Sequence, residues 1–147
     1  MSHDAAVSAT TTALTGTLGT LGAVMPTVSS WAISNSGETL IYLTSAPLTC
    51  EQLKVSRWLG AFTTGAQVVE IVVRGNAPVG MARNPEVNFA AGGKSSAYET
   101  TAATASVTFT KSEPMGVIEG TVSATYRPSG DVMGTFHAEF CAGGQGY

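Results

Sequence analysis

The stretch EGTVSATYRPSGDVMGTFHAEF, residues 119–140, decides the fold. Over 119–126, Val122, Ala124 and Tyr126 alternate with Glu119, Thr121, Ser123 and Thr125, the period-two pattern of a strand with one face inward and one face wet. After Arg127-Pro128-Ser129-Gly130-Asp131 the alternation resumes, with Phe136, Ala138 and Phe140 inward and Thr135, His137 and Glu139 outward. Two such runs about a turn-forming cluster predict an antiparallel hairpin.

Outward from this hairpin the same grammar recurs. Residues 103–111 alternate Ala105, Val107 and Phe109 with Ser106, Thr108 and Thr110, and QVVEIVVR at 67–74 is the strongest strand run in the chain. It ends at Gly75-Asn76-Ala77-Pro78, where a sheet ladder cannot easily continue. Residues 28–34 and 39–44 flank Asn35-Ser36-Gly37-Glu38 and read as a second hairpin. PEVNFAAGGKSS at 85–96 has no clean period and reads as a long connection. One helical signal stands out: Thr49 and Gln52 have capping-box spacing ahead of Leu53, which predicts a short helix near residues 47–59.

The N-terminal stretch differs in kind, because residues 5–37, 33 in all, carry no charge. Leu14, Leu18 and Leu21 have helical spacing, but Gly16, Gly19, Gly22 and the many Thr residues oppose a helix. Residues 1–27 are therefore expected to be an uncharged arm or a first strand, and residues 28–147 a single β domain. The expected class is all-β: an antiparallel β-sandwich, with a barrel as the other way to close such a sheet.

Composition narrows the function. Charged residues make up 12% of 147, about half the usual share, while hydrophobic residues make up 44%, which excludes a disordered chain. The net charge of −3 and the scattered Lys and Arg exclude a phosphate-neutralising surface, so no nucleic-acid partner is expected. No apolar run reaches the roughly 20 residues of a transmembrane helix. Met1-Ser2-His3-Asp4 lacks a signal peptide's basic and apolar regions, so an exported protein would here be numbered in a mature or recombinant form.

The chain has two cysteines, Cys50 and Cys141, 91 positions apart. A disulfide between them fits a Thr-rich, charge-poor β protein of an oxidising compartment, with two buried thiols as the alternative. No CxxC and no Cys/His cluster is present, so no metal site and no cofactor are expected.

Chemistry-bearing residues are few. His137 and Glu139 share the outward face of one strand at a spacing that suits a metal or a proton-transfer pair, set against the plainer reading of an exposed polar pair. Trp31, Trp58, Tyr42 and Tyr98 could line a sugar- or ligand-binding surface, set against core packing. Glu119 and Asp131 are too isolated for a calcium site, and Gly92-Gly93-Lys94-Ser95 fails the phosphate-loop pattern because position 88 is Asn88. Without a G-x-S-x-G, S-x-x-K or H-E-x-x-H motif, the chain reads as a non-enzyme with no catalytic residue.

The segment Leu43-Thr44-Ser45-Ala46-Pro47-Leu48-Thr49-Cys50-Glu51-Gln52-Leu53, with the closing Gly134-Thr135-Phe136-His137-Ala138-Glu139-Phe140-Cys141, resembles small bacterial exported or lipoprotein-type β domains of unknown function. The resemblance covers residues 40–141 and implies an extracellular or cell-envelope setting and a cysteine bridge. It carries over no catalytic residue, and the lipid-bearing Cys near the start is missing. The expected role is a non-catalytic cell-surface structural protein that assembles with itself through strand addition by its N-terminal arm. The alternative is a monomeric binding module for an apolar ligand or a carbohydrate, with Trp31, Trp58, Tyr98, His137 and Glu139 as candidate contacts.

Overall fold

A computed structural model of the chain describes residues 12–19, 22–55, 66–92, 97–127 and 130–145. Alternation becomes strands β1 (Ala13–Leu18), β2 (Gly22–Ala23), β3 (Ser29–Asn35), β4 (Glu38–Thr44), β5 (Gln67–Arg74), β6 (Gly80–Met81), β7 (Glu86–Gly92), β8 (Ala97–Thr101), β9 (Thr104–Ser112), β10 (Val117–Tyr126) and β11 (Gly130–Gln145). They form one sheet in the order β6-β9-β10-β11-β3-β4-β5-β7-β8, with β1 on β11 and β2 on β1. The expected all-β class is borne out, and the sheet closes on the barrel side of the two expectations, curling into a half-barrel. The curl is visible in its packing: Phe89 of β7 meets Tyr126 of β10 edge-on at 6.3 Å, although five strand steps separate them along the sheet.

The hairpin over 119–140 forms in the expected register, Val122 opposite Gly134 and Tyr126 opposite Gly130. Val122, Ala124, Tyr126, Val132, Phe136 and Ala138 all enter the main core, where Phe136 also meets Phe109 of β9 edge-on. The β3–β4 hairpin turns on Ser36 (φ 52°) and Gly37 (φ 84°), and two positive φ values in a two-residue loop define the tight turn that matches strand twist.

Three expectations need correction. First, residues 86–92 are not a connection but β7, an interior strand between β5 and β8. Val87, Asn88, Phe89 and Ala90 are all buried, and a strand covered on both faces shows no alternation. Second, the sheet is not purely antiparallel, because β11 runs parallel to β3, with Glu139 opposite Trp31 and Phe140 opposite Ala32. Third, Glu119 belongs to the outward face yet is buried, with 6% exposure.

The uncharged arm supplies β1, which pairs with β11 of its own chain. Leu14 and Leu18 sit four apart on one face of this strand and are both buried, so a spacing that mimics a helix here serves a sheet. Their strand can lie this close because Gly134 (φ 151°) faces it: a Cβ there would overlap the carbonyl oxygen of Ala13. Beyond β2, the Met25 N–H donates to Gln67 Oε1 at 2.8 Å, tying this segment to β5.

The helix α1 (Cys50–Val55) is present within the expected span, and residues 56–59 of that expectation lie outside the described residues. Its capping box is complete: the Gln52 N–H donates to Thr49 Oγ1 at 3.1 Å and the Thr49 N–H donates to Gln52 Oε1 at 2.9 Å. Leu48 and Leu53 pack on Ile33, Leu40 and Tyr42, forming a second, smaller core on the outer face of β3 and β4. Cys50 and Cys141 are joined in a disulfide with their Cα atoms 5.4 Å apart, which fastens α1 to β11.

Two stability outcomes follow. Replacing both cysteines by Ala reopens a loop of 91 residues, so the variant is expected to lose about 4 to 5 kcal/mol by the chain-entropy relation, read as a lower urea midpoint under non-reducing conditions. Among the described residues the hydroxyl of buried Tyr126 has no hydrogen-bond partner, and burial pushes its pKa up. The folded state therefore holds a proton that the unfolded chain releases above pH about 10, so stability is whole below that pH and falls as pH rises beyond it. Tyr126→Phe is expected to gain about 1 kcal/mol at pH 7 by removing an unsatisfied polar group. The same substitution should flatten the alkaline end of a pH–stability curve.

Candidate functional site

Strand β11 carries β10 along one edge and divides its other edge between two partners. β1 takes residues 130–135 and β3 takes Glu139, Phe140 and Gln145, so the sheet forks between Thr135 and Glu139. At the fork, among the described residues, the backbone of His137 has no strand opposite it on that side. Thr12, one residue before β1, fills the gap with its side chain: the His137 N–H donates to Thr12 Oγ1 at 2.9 Å, and the Thr12 hydroxyl donates to the His137 carbonyl at 3.1 Å. A part-buried backbone pair that a strand would otherwise satisfy is thus closed by one hydroxyl.

An open groove of about 510 Å³ lies at this fork, lined by Thr12, Thr27, Ser30, Trp31, His137 and Glu139 among others. Its walls follow from strand parity. His137 and Glu139 alternate with core residues Phe136 and Ala138, so both face outward, and the parallel register places Trp31 beside Glu139. The indole of Trp31 is held in place because its N–H donates to the Leu48 carbonyl at 2.7 Å, while Ser29 Oγ accepts the Leu48 N–H at 2.9 Å. The ring is half-buried, packed against the smaller core, and still lines the groove.

The partner of His137 is not Glu139. Glu119 stands directly opposite His137 in the hairpin, and its Oε2 lies 2.7 Å from His137 Nδ1. Two residues on one strand face are about 7 Å apart, whereas cross-strand neighbours are about 5 Å apart, so the register decides in favour of the more distant position in sequence. Glu139 is left exposed. This contact fixes the orientation of the imidazole, which lines the groove.

The same outer face holds a second polar cluster that the sequence alone does not reveal. Tyr42, Glu70 and Asn88 lie in one row across β4, β5 and β7, continuous with Trp31. The Tyr42 hydroxyl donates to Glu70 Oε2 at 2.6 Å and Asn88 Nδ2 donates to Glu70 Oε1 at 2.8 Å, with all three side chains buried. Only the register of three strands brings these residues together; a polar letter inside each apolar run is the one local hint.

Of the other candidates, Tyr98 sits on β8 opposite Ala91, with its side chain outside those described, and Trp58 lies outside the described residues altogether. Among the described residues, no three His, Cys, Asp or Glu side chains gather as a metal site would require. Among the described residues, no helix is long and apolar enough to cross a membrane.

No family model, curated protein or solved structure matches this chain.

The site yields one stability test. Glu119→Ala leaves the His137 ring without its partner at 8% and 21% side-chain exposure, and is expected to cost about 1 to 3 kcal/mol in urea unfolding. Glu119→Gln keeps an acceptor at the same place and should recover at least half of that loss.

Proposed function

We propose that this protein is a non-catalytic binding module of an oxidising, extracellular or envelope compartment, whose forked groove takes a hydroxylated ligand of the carbohydrate class. The observation that carries this reading is the pinned face of Trp31 set beside Glu139, His137 and the hydroxyls of Thr12, Thr27 and Ser30 in one open groove. A sugar presents an apolar C–H face and a ring of hydroxyls that both donate and accept. Such a ligand is matched by an aromatic platform with carboxylate, imidazole and hydroxyl groups at its rim. The groove is open and mixed in polarity, which suits a sugar chain better than a buried apolar ligand. The disulfide supports the compartment, since such bonds persist where thiols are oxidised.

Self-assembly by strand addition is the less supported reading, because β1, the strand that an arm would donate, is already engaged with β11 of its own chain.

Affinity electrophoresis through gels containing soluble polysaccharides tests the proposal. Retardation by at least one polysaccharide is expected, with Trp31→Ala and His137→Ala each weakening it about tenfold, or 1.4 kcal/mol. No retardation across cell-wall, capsular and storage polysaccharides, or retardation that both variants leave intact, sinks the carbohydrate reading.

A further inference from the structure

We propose that the end of the half-barrel bearing Val79, Met81 and Met115 is a docking surface for anionic lipid bilayers. These side chains are 65%, 76% and 61% exposed, and they are not scattered. Pro78 lines two adjoining hollows. One, of about 350 Å³, includes Val79, Met115 and Phe140; the other, of about 310 Å³, includes Met81, Ala82 and Phe109. Single exposed apolar residues need no explanation, but a joined patch that offers its largest side chains to water marks an interaction surface.

The patch is held rigidly. In the segment between β5 and β6, the Gly75 N–H donates to the Gly37 carbonyl at 2.8 Å and Thr39 Oγ1 donates to the Gly75 carbonyl at 2.6 Å. In the turn between β9 and β10, the Val117 N–H donates to Glu113 Oε1 at 3.0 Å and the Gly116 N–H to the Glu113 carbonyl at 3.0 Å. Met115 sits in this turn at φ 55°, a left-handed conformation that glycine adopts freely and methionine does not. The chain thus accepts both backbone strain and exposure to hold a large apolar side chain at the tip.

Charge selects the occupant. Arg74 and Arg83 line the Met81 hollow, both are exposed, and among the described residues neither is in an ion pair, in a chain of net charge −3. Protruding apolar tips flanked by unpaired cations complement an anionic bilayer, where the tips enter the headgroup boundary and the cations meet lipid phosphates. A second copy fits less well, because a two-fold contact through this face would gather the arginines of both molecules into one interface, whereas a bilayer meets them with phosphates.

Co-sedimentation of the intact protein with large unilamellar vesicles tests this. Phosphatidylglycerol-rich vesicles in 0.1 M salt are expected to bind at least tenfold more protein than phosphatidylcholine vesicles, and 0.5 M salt should erase most of the difference. The R74Q/R83Q variant should lower binding to the anionic vesicles about fivefold per arginine. V79S/M81S/M115S should lower it at least tenfold. A measurement on the unsubstituted protein guards against misfolded variants: anionic vesicles should slow peroxide oxidation of Met81 and Met115, while Met25 and Met133, 41% and 47% exposed, react as before. No sedimentation above a vesicle-free control, or equal protection of all four methionines, overturns the proposal. So does a dimer by light scattering that the triple variant dissolves, since it would assign the face to a second copy.

Discussion

The edge of a β-strand can hydrogen-bond one neighbour at each position, and β11 is placed so that this limit shapes the molecule. With 16 residues it is longer than any strand beside it. Its first half accepts β1, its second half accepts β3, and the change of partner leaves the His137 backbone without a strand partner on that edge among the described residues. Because β1 and β3 diverge there, a groove must exist, and because an unsatisfied backbone pair is costly, a polar side chain must close it. Thr12 does so, and the groove walls are then set by whichever residues parity turns outward. The disulfide at Cys141, four residues beyond His137, holds the same strand to α1 and so fixes the far wall, where Trp31 is hydrogen-bonded to Leu48.

Much of this is legible in the sequence alone. The hairpin over 119–140, the β3–β4 turn and the capping box at Thr49 rest on short-range patterns, the cysteine pair rests on composition and cysteine count, and all take the expected form. β7 was missed for a physical reason: burial on both faces removes the alternation that marks a strand. The parallel contact between β11 and β3 left no trace because it joins segments over 100 residues apart with no turn between them. The pairing of His137 shows the same limit on a smaller scale. Spacing on one strand offered Glu139, but the neighbour in hydrogen-bond reach came from the opposite strand, and register cannot be read from one strand alone.

The candidate site was legible in part. Residue type points to Trp31, strand spacing points to His137 and Glu139 as a pair, and the fork brings all three into one groove. Their companions Thr12, Thr27 and Ser30 could not be nominated, since hydroxyl residues are common in this chain and only the fork distinguishes these. Tyr42–Glu70–Asn88 was out of reach for the reason that hid Glu119: each residue is unremarkable until strands align.

The two carboxylates buried among the described residues bear on why the sheet holds one register. Glu70 and Glu119 both lie on the outer face, each matched by donors on the adjacent strands, while the inner face takes apolar side chains almost throughout. Sliding a strand by one residue would exchange its faces, carrying a carboxylate into the apolar core and stranding its donors outside. An apolar run such as QVVEIVVR, with Val on both faces, would resist that slip only weakly without its single acid. Glu70 therefore does for β5 what alternation does for β10: it tells the strand which side is inward. The polar row across the outer face is then part of how the half-barrel is specified, and the groove at its end inherits its geometry from that constraint.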